Sequence, residues 1–302
     1  MTISNVAPSI TASSIQLLNT DGGAVLVPSV EQDETTDFLT HFIVTDYNSC
    51  VNVSSTNEIS SAILHVYRSG VLSVNCDGND SDNANDCYQN AQSGNGGRCF
   101  QDAAIDSCGG SSDATVGWTC EFPLQYHPDP TVASNTQYPT ENWLTSIKAT
   151  DNNSADTGLV EDADGAEMDK FVSYDLNTAS VDYGNVAPDA ESSDVTSTLE
   201  ATGNVGLDAE YSGTDMSYAS TTPIAVGQQK YDLTGSKTWT NMDYTLSVTS
   251  TPQELNCEKT ILSGTPKTKN TFFKLKVPAG QEPGDYTGTD TFVGIEGESA
   301  SW

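Results

Sequence analysis

Positive charge is what this sequence has least of. Lysine and arginine together number 11 against 42 aspartates and glutamates, a net charge of −31. Such a chain repels phosphate backbones and anionic headgroups, which excludes nucleic acid and membrane surfaces as partners. No apolar run reaches 18 residues, so no segment reads as a membrane span. There is no C-x2-C pair, which argues against a thiolate zinc site. There is no G-x-S-x-G elbow for a serine nucleophile. The residues after Met1, Thr-Ile-Ser-Asn-Val-Ala-Pro, have neither the basic nor the apolar region of a signal peptide. Beside a cysteine-rich chain, that reads as a mature form or an excised piece with an added Met. The ending at Ser299-Ala300-Ser301-Trp302 likewise reads as a cut within a longer protein.

What is present begins with cysteine. Five of the seven fall between Cys76 and Cys120. Their clustering suggests disulfides and an oxidising, extracellular compartment. Six lie in the first half: Cys50, Cys76, Cys87, Cys99, Cys108 and Cys120. Closeness in sequence suggests Cys76–Cys87 and Cys99–Cys108, leaving Cys50–Cys120. Cys257 is then unpaired, either buried or an intermolecular cross-link, and burial is favoured.

The acids are skewed toward aspartate, 27 against 15 glutamates. Aspartate favours turns and short-reach metal ligation over helix interiors. Between the first two clustered cysteines, Asp77, Asn79, Asp80, Asp82, Asn83, Asn85 and Asp86 put seven oxygen donors in ten residues. Position six of an EF-hand loop would be Gly and position twelve Glu; here they are Asp82 and Tyr88. The loop is therefore either a Ca²⁺ site of another kind, with Asp77, Asn79, Asp80, Asp82 and Asp86 as metal ligands, or a solvated acidic excursion. A second acidic stretch, including Asp162 and Asp164, reads as a linker that either binds Ca²⁺ or repels itself into extension. Sequons at Asn52, Asn79 and Asn152 suit a surface protein.

Period-two alternation with turn punctuation recurs throughout, and no long helical period does. Strands are expected at 9–18, 23–28, 36–46, 61–68, 117–126 and 143–151. Further strands are expected at 195–202, 206–213, 224–233, 243–249, 271–277 and 286–295. In 36–46, Phe38, Thr40, Phe42 and Val44 share one face. The fold class expected is all-β: two tandem β-sandwiches, residues 1–158 and 159–302, the first with a cysteine-rich insert over about 70–118.

Other patterns have plainer readings. Asp156-Thr157-Gly158 spells the aspartic-protease triplet, but that chemistry needs two such aspartates and no second copy exists. His41, His65 and His127 read as structural. Five of the eleven cations lie between Lys259 and Lys276. Lys274 and Lys276 share one strand face, either as edge protection or as a basic dock for an acidic face of another copy.

Ser180-Val181-Asp182-Tyr183-Gly184-Asn185-Val186-Ala187-Pro188 and Ala201-Thr202-Gly203-Asn204-Val205-Gly206-Leu207-Asp208 resemble Ig-like modules of prokaryotic multi-domain cell-surface proteins. Phe273-Lys274-Leu275-Lys276-Val277-Pro278 and Pro283-Gly284-Asp285-Tyr286-Thr287-Gly288 are similar to the close of those modules. In the first half, Val44-Thr45-Asp46 and Ala149-Thr150-Asp151 resemble strand ends of Ig-like or PKD-like repeats. The likeness covers most of residues 9–50 and 120–295. It departs at Ala190, near an expected turn glycine, and at Ala201-Thr202 in place of Asn. It implies tandem Ig-like domains, an extracellular structural or adhesive role and no catalytic residues. Two further readings stay open: a carbohydrate-binding module using the insert near Trp118, Tyr88 and the acidic loop, and a self-assembling filament or surface-layer subunit. The partners expected are another protein or a glycan on a surface, or further copies of the chain.

Overall fold

A computed structural model describes the chain apart from residues 1, 3, 20–22, 24, 27–35, 52–56, 77–84, 90–97, 133–135, 179, 262–264 and 299–302. The described residues form strands joined by turns and four short 3₁₀ turns, with no α-helix among them. They divide into two compact units, Met1–Phe171 with Ile261–Gly264, and Val172–Thr260 with Thr265–Trp302.

The first unit contains β1 (Ser9–Ile10), β2 (Gln16–Leu18), β3 (Val25–Leu26), β4 (Thr36–Thr45), β5 (Ile59–Arg68), β6 (Cys87–Gln89), β7 (Arg98–Gln101), β8 (Thr115–Leu124), β9 (Trp143–Asp151), β10 (Val160–Glu161) and β11 (Glu167–Met168). One antiparallel sheet runs β1-β4-β8-β7, with β2 also on β4; another runs β10-β9-β5-β6. β3 and β11 form a parallel pair. Alternation decides which side chains meet between the sheets. Phe38, Phe42 and Val44 of β4 and Trp118 of β8 join one core with Leu64 of β5 and Trp143, Ile147 and Ala149 of β9. Thr40 shares the buried face, and its hydroxyl lies 3.5 Å from that of buried Thr145. Trp143 satisfies its indole N–H on the Asp129 carbonyl at 2.9 Å.

Strand 9–18 is interrupted where sequence suggested continuity. Residues Ala12–Ser14 turn as a 3₁₀ segment, and Ser14 donates both its amide and its hydroxyl to the Thr11 carbonyl, each at 2.8 Å. This local side-chain bond competes with the ladder. The expected boundary at 158/159 also moves. β10 pairs with β9, and β11 pairs with β3, so the acidic stretch is not a linker and the division falls after Phe171.

Nor is the 70–118 segment a detached insert. It gives β6 to one sheet and β7 to the other. At Gly117, any side chain would collide with the Asp106 amide and the Asp102 carbonyl. Glycine lets the 102–106 turn lie on β8, where Gly117 donates to the Asp106 carbonyl at 2.9 Å and accepts from the Asp102 amide at 2.8 Å.

Three disulfides staple this unit: Cys50–Cys108, Cys76–Cys87 and Cys99–Cys120. The first-sequence pairing holds for Cys76–Cys87 and fails for Cys99–Cys108 and Cys50–Cys120. Cys99 and Cys120 face each other across the β7/β8 register. Cys50 lies past the end of β4, where its amide donates to the Asp113 carbonyl at 2.8 Å, beside the segment that carries Cys108. Register sets Cys99–Cys120, whereas Cys76–Cys87 follows closeness along the chain.

The second unit contains β12 (Tyr174–Leu176), β13 (Val195–Ala201), β14 (Leu207–Gly213), β15 (Gln229–Asp232), β16 (Tyr244–Thr245), β17 (Thr251–Cys257), β18 (Thr268–Leu275) and β19 (Asp290–Glu296). Its antiparallel sheets run β12-β13-β18-β15-β16 and β17-β14-β19. Leu199, Leu207, Tyr211, Tyr231 and Phe273 share its main core. Tyr211 meets Tyr231, Phe273 and Phe292 at ring-centroid distances of 4.7, 5.9 and 5.1 Å. β17 was not anticipated. Pro252, Gln253 and Glu254 hide its alternation, which buries Gln253, Leu255 and Cys257, and its edge position tolerates the proline.

Lys274 is not an edge lysine. β18 lies between β13 and β15, and Lys274 is buried, 3.3 Å from Asp194 and 3.9 Å from Glu191. It is therefore not available as a basic dock either.

Non-reducing peptide mapping is expected to recover Cys50–Cys108 and Cys99–Cys120 linked peptides. Chain entropy ranks the staples by loop length, 58 residues for Cys50–Cys108 and 11 for Cys76–Cys87. Replacing the first pair by alanine should cost about 4 kcal/mol and the second about 3 kcal/mol in denaturant unfolding.

Candidate functional sites

The sequence-derived cation ligands divide three ways. Asp77, Asn79, Asp80 and Asp82 lie outside the described residues, as do the sequons at Asn52 and Asn79. Asp86 is buried at the base of that loop, and its carbonyl accepts the Arg68 amide at 2.9 Å. Asp162 and Asp164 sit on the turn between β10 and β11. Asp162 accepts the Asp164 amide at 3.1 Å on one carboxylate oxygen and the Gly165 amide at 3.2 Å on the other. Burial raises its carboxyl above the ordinary value, and these amides oppose the shift. Asp164 is exposed. Both Asp162 oxygens thus serve the turn.

The residues suggested to line a glycan site in the insert are core residues. Trp118 is buried and stacked with Phe42 at 6.4 Å, and Tyr88 is buried against Trp143 at 5.8 Å. The Asp156-Thr157-Gly158 triplet is a turn: Asp156 accepts the Gly158 amide at 2.9 Å, and Gly158 has φ +65°. His65 and His127 are buried and His41 is half-buried, with its imidazole pKa lowered chiefly by desolvation. At the end of β5, Arg68 binds Asp129 at 3.0 Å, contacts Glu141 and lies over the Tyr138 ring at 3.5 Å. Burial alone would lower the Arg68 pKa, but the two carboxylates raise it above its usual value.

The second unit holds a cleft of about 700 Å³, a volume suited to a small ligand. Tyr211, Phe273 and Phe292 give it aromatic surface; Tyr183, Gln229 and Asp290 give it polar groups. Tyr183 donates to Gln229 Oε1 at 2.9 Å, and Gln229 Nε2 is buried without a hydrogen bond of normal length. Burial raises the carboxyl of Asp290, with the Gln229 amide opposing. Burial first, and then the Asp290 charge, raises the Tyr183 phenol. Burial also pushes the Tyr211 phenol up to about 12, while Thr271 opposes. At neutral pH both phenols are neutral donors. Aromatic faces beside an amide and an acid suit a neutral, hydroxyl-rich molecule with one apolar face. Sequence reasoning missed this cleft because its residues come from β12, β14, β15, β18, β19 and the segments between them.

Asp208, Glu254 and Glu298 form the one acidic trio among the described residues whose oxygens lie within 4.8 Å of one another. Asp208 is buried and accepts the Asn256 amide at 2.8 Å; the glutamates are exposed. The charges of Asp208 and then Glu298 raise the Glu254 carboxyl. Beyond like charge, nothing marks the trio as a cation site. Cys257 is free and buried, as favoured from sequence, and burial pushes its thiol up to about 11.

No family model and no curated protein matches the chain. Among solved structures, the secreted serine protease VesC from Vibrio cholerae is similar at 10% identity and a TM-score of 0.20, covering 94% of this chain and 51% of that one. The chain thus spans about half the length of that structure. At this TM-score the likeness supports neither a fold nor an activity.

Two outcomes follow from these ionisations. Cys257 should resist a thiol reagent in the native protein and react fully in denaturant. Because Glu254 has a raised folded pKa, its ionisation disfavours the folded state. That penalty is present above the folded pKa and vanishes below the unfolded value of about 4.3. Glu254→Gln should therefore raise Tm at pH 7 and leave it unchanged at about pH 3; thermal melts at the two pH values check this.

Proposed function

We propose that the chain is a non-catalytic structural or adhesive component of an extracellular surface, built from two tandem Ig-like sandwiches. The observation that carries this reading is the set of three disulfides. They tie Cys50 to the post-β7 segment, join β7 to β8 and close the loop before β6. Such bonds persist where the medium is oxidising. Among the described residues, no helix is long and apolar enough to cross a membrane. The surplus of 42 acids over 11 bases suits a soluble, mutually repelling coat that recruits divalent cations. Calcium stabilisation belongs to this reading, with the Asp77–Asp86 loop as its sequence-derived site.

An antibody to this chain should label intact, unpermeabilised source cells. Labelling that appears only after lysis would count against surface placement.

A second reading, glycan binding, is favoured by the cleft between the sheets of the second unit. It moves the site suggested from sequence away from the cysteine-rich segment. A glycan array should then give hits that Asp290→Asn and Tyr183→Phe weaken by about tenfold, the scale of one lost hydrogen bond to a charged or well-placed group. An array blank for the unaltered protein removes this reading and leaves the structural one standing.

A further inference from the structure

An edge strand carries amides and carbonyls that no neighbouring strand meets. Most edges in this chain are short: β1, β6, β7, β10, β12 and β16 have two to four residues each. β17 has seven, and it is guarded by Pro252 and by a register shift against β14. β19 also has seven residues, Asp290–Glu296, and holds neither lysine nor proline. Among the described strands it pairs with β14 alone.

Two bonds fix which way the backbone of β19 points. The Thr214 amide donates to the Thr289 carbonyl at 3.0 Å, and the Gly297 amide donates to the Gly206 carbonyl at 2.8 Å. Alternate residues of an antiparallel ladder bond the same neighbour. Thr291, Val293 and Ile295 therefore bond β14, while Asp290, Phe292 and Gly294 turn their amides away from it. Those three amides meet no acceptor among the described residues, and the Phe292 carbonyl accepts one bond, from Tyr174 Oη at 3.5 Å. Apolar surface lies open beside the same edge. Phe292 packs on Tyr211 and on Tyr174 of β12, each at 5.1 Å. Leu176 of β12 lines the cleft with Val181 and Phe292, yet is 37% exposed. Val293, on the opposite face of β19, is 42% exposed. Unmet amides and uncovered apolar side chains thus coincide where β19 borders the cleft.

We propose that the free edge of β19 takes up one extended strand of another protein, a β-branched or aromatic segment with a basic residue at each end. The backbone of that strand would bond the amides of Asp290, Phe292 and Gly294, and its alternate side chains would cover Leu176 and Val181. Charge selects this partner over a second copy of the chain. The charged residues of β19 stand at its two ends, Asp290 and Glu296, and both are acidic. Glu298 follows, with its carboxylate beside those of Asp208 and Glu254. Two β19 strands paired antiparallel about Val293 would set Asp290 of each against Glu296 of the other, and like charges directly opposite disfavour pairing. They would also join two chains of charge −31. Lysine or arginine at the ends of the incoming strand turns both repulsions into attraction. The contact needs neither calcium nor a glycan.

The test is fluorescence-anisotropy titration of the full chain against labelled octapeptides that alternate threonine with valine or phenylalanine and carry a lysine at each end. The lysine-ended peptides should bind, less tightly as salt rises. The same peptides ended in glutamate should bind about tenfold more weakly or worse. Only one edge of an added strand faces β19. N-methylation of one alternate set of peptide amides should therefore weaken binding by about tenfold or more, and N-methylation of the other set by less than about twofold. Leu176→Ser, at an exposed position, should weaken binding by about threefold without moving Tm. Sedimentation should show the unaltered chain as a monomer. Failure of the lysine-ended peptides to bind, equal binding by the glutamate-ended ones, or equal binding by both methylated forms overturns the proposal. A dimer that Val293→Lys returns to monomer also overturns it, since β19 then pairs with its own copy.

Discussion

An acid in this chain rarely has a base to meet, because there are 11 cations for 42 carboxylates. Backbone amides supply much of what ion pairs cannot. Asp113 accepts the Gly109 amide, Asp102 that of Ala104, Asp182 that of Gly184 and Asp232 those of Thr234 and Asp243. Asp113 and Asp102 are held below the usual carboxylate range, Asp113 chiefly by the Gly109 amide and Asp102 chiefly by the Thr119 hydroxyl. Aspartate's short side chain reaches an amide two residues on, which glutamate does less readily, so the skew toward aspartate and the abundance of turns are one property. At Asp46 and Glu58 burial raises the carboxyls instead, and neighbouring acids add to it.

The two units solve their stability problem differently. The first places three disulfides around a core led by Phe42, Trp118 and Trp143. The second has one free cysteine and relies on clustered rings, with Tyr211 at the centre of contacts to Tyr231, Phe273 and Phe292. It also buries Lys274 between Asp194 and Glu191. An ion pair in that setting offsets the desolvation of the lysine rather than adding much net stability.

The long strands were legible because alternation is local. Trp143–Asp151 was read with its observed ends, and the buried face of β4 was read residue by residue. The short strands β10 and β11 carry no period long enough to detect, so in sequence the acidic stretch holding Asp162 reads as a linker. Disulfide partners depend on register between distant strands, which spacing along the chain does not encode. The cleft was invisible for the same reason.

The parallel pair of β3 with β11 joins Val25–Leu26 to Glu167–Met168. Few contacts in the first unit span more chain, and pairings of such reach form late because loop closure comes first. A chain emerging from its N-terminus therefore has β4, β5 and β8 available long before the strand that pairs with β3. All six bonded cysteines precede Met168. Oxidation can thus run to completion before the β3–β11 pair forms.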